Sequence, residues 1–115
     1  MKMTLLEIFE KVNLVVPLEQ RRFFNYFNDT VDELLATYGY FVLESEGEYT
    51  PPKELSDSVS VLPLYHTAIV DNILFLAGSG QDETRKGEFI RKSKEAYLRY
   101  WNEHAKGKRV KRMRW

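Results

Sequence analysis

The sequence predicts one mainly α-helical domain, a small bundle of about four helices with a short β-hairpin or extended excursion between helices 2 and 3. The run from Val61 to Ala77, VLPLYHTAIVDNILFLA, holds a single charge, Asp71. A helix through this run is apolar on nearly every side, which is typical of a central helix packed by several neighbours. The flanking segments repeat apolar residues at steps of three and four, as amphipathic helices do. The length of 115 residues suits one hydrophobic core.

Helix 1 is predicted from Leu5 to Asn13. Thr4 and Glu7 have the spacing of a capping box. In this motif the threonine hydroxyl accepts from the backbone amide of the glutamate, and the carboxylate accepts from the backbone amide of the threonine. Its apolar face consists of Leu5, Ile8, Phe9 and Val12.

Helix 2 is predicted from Leu18 to Tyr38. Pro17 suits the first helical position because its missing amide is not needed there, and Gly39 suits a C-cap. The periodic apolar positions are Phe23 or Phe24, Phe27, Val31, Leu34, Leu35 and Tyr38.

The hairpin is predicted in the segment that follows helix 2. Residues 40–43 are aromatic or aliphatic, which favours a strand. Residues 45–48 are typical of a turn, and residues 49–50 could form the return strand. An isolated hairpin is marginally stable, so this one would have to pack on the helices or on another subunit. Its candidate subunit contacts are Tyr40, Phe41 and Tyr49.

The second half is predicted to hold a surface connection and two more helices. Residues 53–60 form the connection, with one helical turn around 54–58. Helix 3 runs from Leu64 to Ala77, and helix 4 runs from Gln81 or Asp82 towards Gly107. Helix 3 should bury Leu64, Ala68, Ile69, Ile73, Phe75 and Leu76. The stripe along helix 4 consists of Phe89, Ser93, Tyr97, Tyr100, Trp101 and His104. Residues 1–107 thus form the domain, and 108–115 form a basic tail.

The charges divide along the chain although the net charge is zero. Residues 1–84 hold 5 basic and 14 acidic side chains, whereas residues 85–115 hold 12 basic and 3 acidic ones. Such an asymmetry suits nucleic acid, a partner surface, or copies of one chain that meet head to tail. The candidate partner or DNA contacts in the C-terminal part are Lys106, Lys108, Arg109, Lys111, Arg112, Arg114 and Trp115. Protein docking is favoured over specific DNA recognition because no recognition motif accompanies these cations.

Other residue patterns argue against catalysis and against a bound cofactor or metal. There is no cysteine, and the two histidines, His66 and His104, lack acids at a metal-ligand spacing. His66 is expected to be partly buried or at an interface. The glycine-rich segment 78–80 follows a helix, which favours a helix connection over a phosphate loop. Asp71 and Asn72 are expected to face solvent, the connecting loop or a neighbouring chain.

Targeting patterns are also missing. The N-terminal MKMTLLEIFEKV has acids where a signal peptide needs an apolar core, and the run at 61–77 is shorter than the roughly 20 residues of a membrane span. We therefore expect a soluble protein, made in the cytoplasm.

Three segments together resemble the small head–tail connector (adaptor) proteins of tailed bacteriophages and prophages. The first is RRFFNYFNDTVDELLATYG, in a helix of the N-terminal helical pair. The second is LYHTAIVDNILFLAG, just after a Leu-Pro that ends an extended middle segment. The third is SGQDETRKGEFIRKSKEAYLRYW, where a polar loop opens the last helix. The resemblance covers Leu5 to Trp101 and excludes the basic end.

The resemblance implies a helical bundle whose copies assemble into a ring beneath the portal protein, in the neck of a virion made in a bacterial host. The ring extends the DNA channel and offers a platform to the next tail-completion protein, without chemistry or cofactor. The alternative is a small helical nucleic-acid-binding or regulatory protein that uses the basic tail. That alternative predicts strongly salt-dependent binding to duplex DNA.

Overall fold

The computed structural model describes residues 4–44, 49–78 and 83–105, without the side chains of Tyr40, His104 and Ala105. These residues form a mainly helical protein, as predicted. The α-helices are α1 (Leu5–Asn13), α2 (Gln20–Tyr38), α3 (His66–Ala77) and α4 (Glu83–Tyr100). Short 3-10 turns cover Gly39–Val42 and Pro63–Tyr65, and α4 continues into a π-helical turn at Trp101–Ala105. No helix in the described ranges combines the length and the apolar character needed to cross a membrane.

Helix α3 lies at the centre of the bundle, which confirms the prediction from its apolar run. It packs against α1, α2 and α4. Seven of its twelve residues are buried, and three of the seven are polar: His66, Asp71 and Asn72. Pro63 opens a 3-10 turn that leads into the helix, so the α-helix begins at His66 and not at Leu64.

Helices α1 and α2 contribute amphipathic faces to the same core. The α1 face is Leu5, Ile8 and Val12, and the α2 face includes Phe23, Phe27, Val31 and Leu34. The rings of Phe9 and Phe23 meet edge to face with centroids 4.9 Å apart, which joins the two helices. The periodicity of both helices therefore predicted the correct buried faces.

Asn13 fixes the corner between α1 and α2. Its Nδ2 donates to the carbonyl of Phe9 at 2.9 Å, and its Oδ1 accepts from the backbone amide of Leu18 at 3.0 Å. Because this bond holds the chain before α2, the helix begins at Gln20, two residues after the predicted start at Leu18, and Pro17 lies outside it.

The described residues do not support the predicted hairpin between helices 2 and 3, and its predicted turn, 45–48, lies outside them. Gly39 has a φ of 67°, which turns the chain out of α2 into the 3-10 turn Gly39–Val42 where a strand was expected. Val42 and Leu43 are buried in the helical core. This burial exceeds what a two-stranded hairpin could gain, so packing overrides local strand propensity. Leu43 makes only an isolated bridge to Val61, and residues 49–62 form an irregular connection.

That connection satisfies backbone groups at the start of α1. The amide of Leu5 donates to the carbonyl of Asp57 at 3.1 Å. Asp57 also holds its own turn, because its Oδ2 accepts from the amides of Lys53 and Glu54 at 2.8 and 3.0 Å. These two amides lower the pKa of the Asp57 carboxyl. In place of the predicted helical turn around 54–58, the chain forms a turn that the side chain of Asp57 stabilises.

Candidate functional site

A polar network joins α2, α3 and α4 inside the bundle. Asn72 is 1% exposed. Its Nδ2 donates to Oγ1 of Thr30 at 2.9 Å, and its Oδ1 accepts from Nζ of Lys86 at 3.1 Å. A lysine can only donate, which fixes the orientation of the Asn72 amide. The hydroxyl of Thr30 donates in turn to the carbonyl of Tyr26 at 2.7 Å, so each hydrogen bond in the chain has a matched donor and acceptor.

Lys86 ties the three helices together. Its Nζ also donates to both carboxylate oxygens of Glu33 on α2, at 2.8 and 2.7 Å. The same ammonium lies over the rings of Phe89 and Phe75, 4.8 and 5.4 Å from their centroids. Hydrogen bonds and ring faces thus compensate for the water that Lys86 loses.

Asp71 forms the second part of the network. It is buried, and its carboxylate accepts from Nζ of Lys92 at 2.6 Å and from Nη1 of Arg85 at 3.3 Å. The prediction that Asp71 and Asn72 face solvent, a loop or a neighbouring chain is therefore wrong. The physical reason is that α4 supplies cations that compensate for burial of these polar groups.

One signal in the sequence could have indicated this network. Lys86 precedes Phe89 by three positions, so it lies on the stripe of α4 that Phe89, Ser93 and Tyr97 predict to be buried. A cation on the buried stripe needs a polar partner, and the polar pair inside the apolar run was the available candidate.

The network neutralises part of the charge division within one subunit. Asp71 and Glu33 belong to the acidic part of the chain, and they pair with cations of the basic part. Several other exposed charges make no ion pair among the described residues, although Arg91 pairs with Glu88 and Glu95 on the surface of α4. The acidic ones on α1 and α2 include Glu10, Asp29 and Asp32, and the basic ones on α4 are Lys94 and Arg99.

An aromatic cluster covers the C-terminal half of α4. Phe41 meets Trp101 and Tyr97 edge to face, with centroids 5.3 and 5.9 Å away. Tyr38 of α2 stacks on Tyr97 at 4.8 Å. The predicted subunit contact Phe41 is therefore half-buried against its own α4, and its role between subunits stays a prediction.

Tyr49, in the irregular connection, contacts a different helix from Phe41. Its hydroxyl donates to Oδ1 of Asn28 on α2 at 2.7 Å. Burial raises the pKa of the Tyr49 phenol, and the nearby charge of Asp32 raises it further. Phe41 and Tyr49 thus do not share one hairpin face. The side chain of Tyr40 lies outside the described residues. The same holds for the predicted partner or DNA contacts, which are Lys106, Lys108, Arg109, Lys111, Arg112, Arg114 and Trp115.

His66 is buried at the start of α3, in agreement with the sequence-based expectation. Its Nε2 and the hydroxyl of Tyr65 have no hydrogen-bond partner among the described residues. Burial is the main reason that the pKa of His66 is lowered, and Lys11 lowers it further while Glu7 acts in the opposite direction. No group of three potential metal ligands occurs in the described ranges.

The neutral His66 ring predicts a pH dependence of stability. Since the folded state disfavours protonation, the unfolded chain binds more protons below about pH 6.5, and the free energy of unfolding falls as the pH drops below that value. We expect the His66→Leu variant to lose less free energy of unfolding than the natural chain when the pH is lowered. Urea unfolding at about pH 7.5 and about pH 5.5 measures it in both proteins. An equal loss in both would contradict the assignment.

Exposed apolar side chains mark two places on the surface. Leu6, Leu14 and Val15, on α1 and the corner after it, are 40%, 87% and 54% exposed, and Ile90 and Leu98 on α4 are 53% and 47% exposed. Contiguous exposed apolar groups with polar residues around them are typical of surfaces that bind other proteins. Comparisons with protein-family models, curated proteins and solved structures return no match for this chain.

Proposed function

We propose that this chain is a structural assembly protein of the head–tail connector class. Its copies form a ring on the portal protein, extend the DNA channel and receive the next tail-completion protein in the virion neck. The observation that carries the proposal is the division of charge along the chain: residues 1–84 hold 5 basic and 14 acidic side chains, and residues 85–115 hold 12 basic and 3 acidic ones. Surfaces of opposite charge on different elements favour head-to-tail contacts between copies.

The packing of the subunit supports the same proposal. The buried side chains of Asp71 and Asn72 on α3 find partners on α2 and α4, so polar contacts join the three helices around the core. A bundle whose helices are joined by hydrogen bonds and ion pairs can hold its outer faces in fixed positions, as ring assembly requires. Of the three segments that resemble connector proteins, the first lies in α2 and the second in α3 with the turn before it. The described part of the third lies in α4 and the start of the turn after it.

The basic tail is proposed to dock on the portal or on an adjacent subunit. A chain that ends at Gly107 loses five cations, from Lys108 to Arg114. If each contributes about 0.2–1 kcal/mol, the affinity for a portal ring falls by about fivefold or more. Size-exclusion chromatography and titration with a portal ring from the same phage or prophage measure the change.

The matched control keeps all the cations and replaces only the terminal aromatic, as Trp115→Ala. It separates the loss of charge from the loss of the last side chain. Equal binding by the full and the shortened chain would remove the proposed role of the tail.

A second function, nucleic-acid binding, is favoured by the density of cations near the end of the chain. Residues 106–115 hold six cations and Trp115, a composition that suits phosphate contact and base stacking. This function requires tight binding to a mixed-sequence duplex that weakens steeply with salt. Tight duplex binding together with no association with a portal ring would favour it over the connector.

A further inference from the structure

Helix α4 carries an exposed stripe that none of the described residues of its own subunit covers. Ile90, Lys94 and Leu98 follow one another at steps of four, which places them along one side of the helix. All three are exposed, and Lys94 makes no ion pair within the described residues. The order along the stripe is apolar, basic, apolar.

Gly87 adjoins the stripe and leaves it open. A Cβ atom there would meet nothing within 4 Å. Glycine inside a helix costs about 1 kcal/mol relative to alanine, and no contact with another described residue explains that cost. A glycine at this position allows another backbone to approach α4 closely.

Helix α1 and the residue after it carry a matching stripe of opposite charge. Leu6, Glu10 and Leu14 also follow one another at steps of four. All three are exposed, and Glu10 has no ion-pair partner in the part of the chain that the structure describes. The order here is apolar, acidic, apolar.

The two stripes have the same dimensions. A helix rises about 1.5 Å per residue, so on each stripe the apolar side chains lie about 6 Å on either side of the charge. Placing Glu10 opposite Lys94 therefore brings Leu6 and Leu14 onto Ile90 and Leu98, whichever way the helices run. Within one subunit the stripes cannot meet, because both helices pack on α3 and the stripes face away from it.

We infer that the α1 stripe of one copy docks on the α4 stripe of the next copy. The contact joins two different surfaces, so its repetition produces a ring, or an open filament if the rotation does not close. This inference rests on the proposed assembly function and deepens it by naming the two subunit surfaces.

Disulfide trapping tests the contact directly, because the natural chain has no cysteine. One preparation carries Glu10→Cys, and the other carries Lys94→Cys. Both positions are exposed, so folding should be kept, and thermal unfolding checks this. Mixed and oxidised at high concentration, the two preparations should give a cross-linked dimer, since bridging needs Cα atoms within about 7 Å.

Two controls define the background of the trapping experiment. Arg99→Cys replaces Lys94→Cys in the first control, because Arg99 is also an exposed cation of α4 but lies about 140° away around the helix. Glu10→Cys alone is the second control, and it detects contacts between two α1 helices. A yield for the Lys94 pair no higher than either control would overturn the inference.

Charge exchange tests the same contact without a covalent bond. We expect Glu10→Lys alone and Lys94→Glu alone each to weaken self-association about tenfold in sedimentation equilibrium, and the double variant to recover it. Asp29→Lys and Arg99→Glu, at exposed positions away from the stripes, should leave it unchanged. Failure of the double variant to recover association would contradict the pairing of Glu10 with Lys94.

The failure of this inference can be told apart from the failure of the proposed function. If the chain assembles with a portal ring but the Lys94 pair does not cross-link, the connector function stands and these surfaces are wrong. If the pair cross-links but no portal association occurs, the surfaces stand and the connector function is wrong.

Discussion

Replacing Phe27 with alanine is expected to lower the free energy of unfolding by about 3–5 kcal/mol. Phe27 is fully buried on the face of α2 that contributes to the core, and its ring lies 6.2 Å from that of Phe23. Removal of the ring loses its transfer free energy and leaves a cavity that the surrounding helices fill only in part. Small domains have total stabilities of about 5–15 kcal/mol, so a large share would be lost. Urea unfolding followed by far-ultraviolet circular dichroism measures the change.

The matched control for this prediction is Val15→Ala. Val15 is an exposed apolar residue in the corner between α1 and α2, so shortening it should change stability by less than about 0.5 kcal/mol. If Phe27→Ala were as mild as Val15→Ala, the packing of α2 described here would be wrong.

Replacing Asp71 with leucine is expected to lower the free energy of unfolding by about 2–3 kcal/mol. The substitution leaves Lys92 and Arg85 beside the core without their shared carboxylate. Removing one partner of a buried ion pair costs about 3–5 kcal/mol, and we reduce this value because both cations remain about one-third exposed to water. Urea unfolding again measures the loss.

A double substitution separates the ion pair from other effects of the Asp71 change. Asp71→Leu combined with Lys92→Met removes both charges, so part of the stability should return, and the cycle of four proteins gives the coupling energy. The control is Glu95→Leu, because Glu95 pairs with Arg91 on the exposed face of α4 and should cost less than about 1 kcal/mol. A coupling energy near zero would contradict a stabilising role for this pair.

The sequence predicted the helices well where periodicity and burial agree. The spacing of Phe23, Phe27 and Val31 placed α2 correctly, because a helix of this length must bury one face. The start of α2 was missed, since it depends on the side chain of Asn13 and not on Pro17. Strand propensity failed for residues 40–43 because tertiary packing buries Val42 and Leu43 among the helices.

The polar network could not be derived in full from residues that are close in sequence. Asn72 bonds to Thr30, 42 positions away, and to Lys86, 14 positions away. Such partners become visible only when the helices are packed. The exposed stripes could be predicted in part from the sequence, because Leu6 and Leu14 do not belong to the apolar face of α1. Their exposure, which defines them as a surface, required the structure.

The central position of α3 has a consequence for the synthesis of the chain. A ribosome releases α1 and α2 before α3, so the apolar faces of the first two helices have no central helix to cover them at that stage. The cations that neutralise Asp71 and bind Asn72 emerge later still, with α4. The nascent chain therefore cannot complete its core in stages, and folding must wait until most of the polypeptide has been made.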